Sequence, residues 1–81
     1  MKIKSFRIED GRVLLPCACI PCGLRVSSDG AFVEALTYDN VTEHERWHAA
    51  IISRHTHVPD APVGKFIARL DNLFLFLRRA E

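Results

Sequence analysis

The chain has 81 residues, 48% hydrophobic and 26% charged, with eleven Lys and Arg against ten Asp and Glu. One small domain spanning 1–81 is expected, with a core thin enough that a metal, disulfides or a partner subunit is a common supplement at this size. A net charge of +1 makes a nucleic-acid partner the weaker reading, and a mean hydropathy of +0.03 argues against both disorder and a membrane span.

The segment Met1 to Arg7 alternates polar and apolar residues and lacks the apolar run of a secretory signal. Three cysteines crowded into six positions, Cys17 to Cys22, do not suit a disulfide framework, so a reducing cytoplasm is the expected setting. Asp10-Gly11 and Asp29-Gly30 are each flanked by short alternating runs, the signature of two-residue hairpins. The first turn would set Glu9 against Arg12, Ile8 against Val13 and Phe6 against Leu15. The second would set Val26 against Val33 and Arg25 against Glu34. Strands are expected near 2–8, 12–18, 23–28 and 31–37, loosened at Pro16 and Pro21.

The second half reads with a different period. Thr42-x-x-Glu45 fits a capping box, and a helix from about 40 to 55 is expected, ended by the prolines at 59 and 62. Val63, Phe66, Ile67, Leu70, Leu73, Phe74 and Leu77 recur every three or four residues, predicting a second helix to about Arg79. The run 73–77 is apolar all round and also suits a buried strand after an Asp71-Asn72 turn; the longer spacing favours the helix. The fold class expected is α+β, two hairpins forming a small antiparallel sheet packed by two C-terminal helices.

Cys19-Ile20-Pro21-Cys22-Gly23 has the shape of a zinc knuckle, and His44, His48 and His55 recur on one helical face. Knuckle, hairpin and helix in that order resemble the treble-clef arrangement of small zinc modules over residues 19–48, with the helix ligands four rather than three residues apart. The resemblance implies one zinc ion held by Cys19, Cys22, His44 and His48; Cys17 or His55 fits the spacing equally well as a substitute ligand. The plainer alternative is a metal-free core, since cysteine often packs as a small hydrophobe. A Cys/His enzyme, with Cys22 as nucleophile and His48 as base, would need a cleft and a depressed thiol pKa.

The best partner reading is another protein. A helix over 63–79 would leave Phe76, and partly Leu75, outside its core stripe, so Leu73, Leu75 and Phe76 are the candidate partner-binding residues, for a homodimer or for a larger protein. The expected role is a non-catalytic adaptor, regulator or inhibitor, of the kind small standalone chains often fill, phage-type inhibitors among them. A zinc-dependent nucleic-acid module is the alternative, and would gather Lys2, Lys4, Arg7, Arg25 and the terminal arginines on one surface.

Overall fold

Asp10 and Gly11 take φ values of 52° and 72°, the backbone of a type I′ turn. Glu9 and Arg12 exchange both main-chain hydrogen bonds across it, at 2.8 and 2.9 Å. The pairing stops there. β1 (Lys2–Arg7) and β2 (Arg12–Pro16) then part and enter different sheets. The computed structural model, which describes residues 1–53 and 64–80, is a pair of antiparallel sheets laid face to face.

One sheet has three strands in the order β1-β4-β3, with β3 at Cys19–Ser27 and β4 at Gly30–Thr37. The other has four in the order β2-β5-β7-β6, with β5 at His44–Ser53, β6 at Lys65–Leu70 and β7 at Leu73–Arg79. Alternation along each strand builds the core between them. Val13 and Leu15 of β2, Ala49 of β5, and Leu75 and Leu77 of β7 meet Leu24 of β3 and Val33 of β4. Phe6, Ile8, Trp47 and Ile51 close the margins of this cluster. Thr37, the one fully buried polar residue among the described residues, donates its hydroxyl to the Ala18 carbonyl at 3.2 Å.

The two expected helices are overturned: the described residues hold strands only, and the fold is all-β rather than α+β. Residues 44–53 alternate, with Glu45, Trp47, Ala49 and Ile51 turned inward and His44, Arg46, His48 and Ala50 outward. Thr42 and Glu45 cap nothing, because Glu45 sits inside the strand. Residues 65–79 form a hairpin instead of a helix, turning at Asp71-Asn72 with Leu70 opposite Leu73. The helical period misleads because both faces of these strands carry apolar residues. Among the described residues no helix is long and apolar enough to cross a membrane.

The first hairpin keeps its turn and the inward set of residues, but Phe6 and Ile8 approach Val13 and Leu15 across the interior, not along a ladder. In the second hairpin Ser27 pairs with Gly30 and Leu24 with Val33, so Ser28 and Asp29 form the turn. This shift of two residues leaves every side chain on its expected face. Arg25 accordingly lies opposite Phe32 instead of Glu34, its guanidinium 4.2 Å from the ring centroid.

Two bulges interrupt the ladders, at Cys22 in β3 and at Ile67 in β6. A single extra residue reverses the facing of everything before it. At Ile67 the consequence is that Phe66 stands opposite Phe76 on the outer face of the four-stranded sheet, half exposed, instead of entering the core.

Candidate functional site

The strands separate the residues expected to share a zinc ion. Cys19 lies on the inner side of β3, packed against the core, while Cys22 occupies the exposed bulge of the same strand and donates its thiol to the Glu34 carbonyl at 3.6 Å. His44 and His48 project from the outer face of the opposite sheet. Four residues apart on a strand, they stand about 13 Å from each other, against the 5–6 Å that one helical turn would give. Cys17 is an exposed free thiol, and His55 lies outside the described residues. Among the described residues no group of three or more His, Cys, Asp and Glu is gathered as a metal site needs.

Burial pushes the Cys19 thiol above its ordinary pKa, and the nearby charges of Glu45 and then Cys17 push it further the same way. Glu45 points inward at this end of the sandwich and is bridged at 3.1 Å by Arg79, whose guanidinium also lies 5.1 Å from the Trp47 ring. The shift lies on Cys19 and not on Cys22, the nucleophile of the enzyme reading. It also fixes a pH response. Above the ordinary thiol value the unfolded chain releases this proton while the folded chain keeps it, so stability falls as pH rises. Melting temperatures measured across the alkaline range are expected to decline less steeply in Cys19→Ala than in the parent chain; parallel curves would refute this.

The feature the fold itself creates is an opening where β1 and β2 diverge. It measures about 510 Å³ and is lined by Ser5, Phe6, Arg7, Glu9, Asp10, Arg12, Val13, Leu14 and Arg46. Both walls are strand edges with main-chain groups to spare. The Ile8 N–H donates to the Ala31 carbonyl, which assigns the even-numbered residues of β1 to the ladder with β4 and turns the N–H and C=O of Ser5 and Arg7 outward. On β2, bonds from Ala49 to Gly11 and from Cys17 to Glu43 assign the odd-numbered residues to β5, leaving Leu14 facing the opening. Had the ladder continued past Glu9 and Arg12, Arg7 would have met Leu14. No protein-family model, curated protein or solved structure matches the chain.

The charges around this opening are unequal. Arg7 is paired with Glu9 at 3.5 Å, both well exposed, whereas Arg12 and Arg46 have no ion pair among the described residues. The basic residues singled out in the sequence do not gather on one surface. Lys2 and Lys4 share Asp39 at 3.4 and 3.3 Å, and Arg7 and Arg25 flank Phe32 on the three-stranded sheet. Arg78 faces outward on the four-stranded sheet, and Arg79 turns in to Glu45.

Of the expected partner-binding residues, Leu75 is fully buried and Leu73 packs against the core, while Phe76 lies on the outer face beside Phe66. Sequence reasoning missed Arg12, Leu14 and Arg46 as one group. The available signal was the alternation itself, which sends Arg12 and Leu14 to the face opposite Val13 and Leu15.

Proposed function

We propose that this chain is a small non-catalytic protein-binding module, an adaptor, regulator or inhibitor, that takes an extended segment of its partner as an added strand between β1 and β2. The observation that supports the reading is the pair of open strand edges facing one another across the opening, with Ser5, Arg7 and Leu14 presenting main-chain groups from both sides. Main-chain pairing supplies affinity in strand addition, and the side chains alternating along the groove supply selection. Here the lining supplies apolar Phe6 and Val13, and three arginines, Arg7, Arg12 and Arg46, against the two carboxylates Glu9 and Asp10, with Arg12 and Arg46 in no ion pair among the described residues. The segment that fits alternates apolar with acidic side chains.

An octapeptide alternating glutamate and valine is the test ligand. Its addition to isotopically labelled protein is expected to shift the amide resonances of Ser5, Arg7 and Leu14, and Arg7→Glu or Arg46→Glu should weaken binding by about tenfold or more. Shifts confined to other strands, or affinity indifferent to both reversals, would refute the reading.

A further inference from the structure

A second surface adjoins that opening, with His48 at its edge standing opposite Arg12. On the outer face of the four-stranded sheet Phe76 is flanked by Phe66, edge to face at 5.7 Å, and Phe66 stands 6.3 Å from Phe74. Phe74 and Phe76 are two residues apart on β7, so their rings repeat at about 7 Å along the strand. Arg69 lies over the Phe74 ring at 5.9 Å, and Arg78 occupies the next row beside His48. No Asp or Glu occupies a strand position on this face among the described residues. Among the described residues the charges are thus segregated: the carboxylates sit in turns and loops, on the other sheet, or turned inward like Glu45.

The bulge at Ile67 makes the arrangement more than a solvated face. Were the pairing regular through Ile67, Phe66 would stand opposite Leu77 and point into the core, where phenylalanine is normally kept; with the bulge, a ring 50% exposed is delivered to the aromatic row. Bulges re-aim side chains in this way next to functional sites. We propose that this face binds single-stranded nucleic acid, the bases stacking on Phe66, Phe74 and Phe76 and the backbone phosphates meeting Arg69, Arg78 and His48. The three rings, with Phe66 tilted by 52° against Phe74 and by 66° against Phe76, present ring surface and edge to unpaired bases, and Arg69 and Arg78 have no carboxylate at a strand position on this face among the described residues to neutralise them. A duplex, whose bases are stacked on each other, has no such use for the row.

The test is fluorescence anisotropy with a labelled twelve-nucleotide oligothymidine and the full chain. Saturable binding is expected, weakened about tenfold by raising salt from 50 to 200 mM and about tenfold by either Phe66→Ala or Arg78→Glu. Phe66 is exposed enough for its truncation to leave the fold intact, which circular dichroism checks. Arg7→Glu, which should impair the peptide site, is expected to leave oligonucleotide binding unchanged, so the two readings fail separately. Absence of saturable binding, indifference to Phe66→Ala, or equal competition by polyglutamate, which has charge but no bases to stack, would overturn the proposal; the last would assign the face to an acidic protein.

Discussion

Leu75→Asp is expected to leave the chain unfolded, while Phe76→Asp, one residue along, leaves it folded. Leu75 has no solvent exposure and sits at the centre of the core, between Ile51 of β5 and Ala68 of β6. Losing its burial costs about 2–3 kcal/mol, and a carboxylate in the same place adds several more or must take up a proton. A domain of this length has a total stability of about 4–12 kcal/mol. Phe76 points the other way, onto the partly exposed aromatic row, where an aspartate keeps its water and the loss is limited to ring contacts and strand propensity, about 1–2 kcal/mol. Circular dichroism and chemical denaturation of the two variants check this. Equal damage from both would contradict the alternation of β7.

Gly64→Ala is expected to be the most damaging of the glycine substitutions. Gly64 takes φ 104°, and a Cβ there would collide with the carbonyl of Leu77 and crowd the Arg78 side chain. Backbone is the obstacle, so no rotamer change relieves it. β6 and β7 would have to separate where Lys65 pairs with Leu77, beside the buried Leu77 side chain. A cost of about 2–4 kcal/mol, lowering the melting temperature by about 10 °C or more, is expected. Gly11→Ala is the control: its φ is also positive, 72°, but the nearest atom to a new Cβ is the Ala49 carbonyl oxygen at an ordinary 3.7 Å. Only backbone strain remains there, about 1–2 kcal/mol. A Gly64→Ala variant melting within a few degrees of Gly11→Ala would show that the steric account is wrong.

The first half of the fold was legible because each face of its strands has a distinct character. Val13 and Leu15 alternate with Arg12 and Leu14, and Asp10-Gly11 supplies the backbone that only such a turn needs. The second half was not, because Ala49-Ala50-Ile51-Ile52 and Leu73 to Leu77 are apolar on both faces, and a run without alternation satisfies a period of 3.6 as well as one of 2. Phe74, Phe76, Ile51 and Ile52 are strand-forming types, and Asp71-Asn72 was a usable turn; together they are the physical signal that decides for strands. The site fared worse for a different reason. A cluster of Cys and His in sequence is a cluster in space only if the intervening elements bring it together, and the helix expected to carry His44 and His48 to one ion is a strand that sets them far apart. The opening between β1 and β2 leaves no mark in composition, since a hairpin that stays paired and one that splays begin with the same turn.

That splayed hairpin also governs how the molecule is assembled in time. β3 with β4 and β6 with β7 are neighbours in the chain and meet across two-residue turns, so each can form on its own within microseconds. β1 must find β4 across 22 intervening residues, and β2 must find β5 across 27. Since β1 and β2 are tied by one short turn, neither can dock without fixing the other, and the loop-closure entropy of both searches falls on a single late event. The N-terminal hairpin is in this sense a clasp, joining two sheets that the rest of the chain has already begun to build.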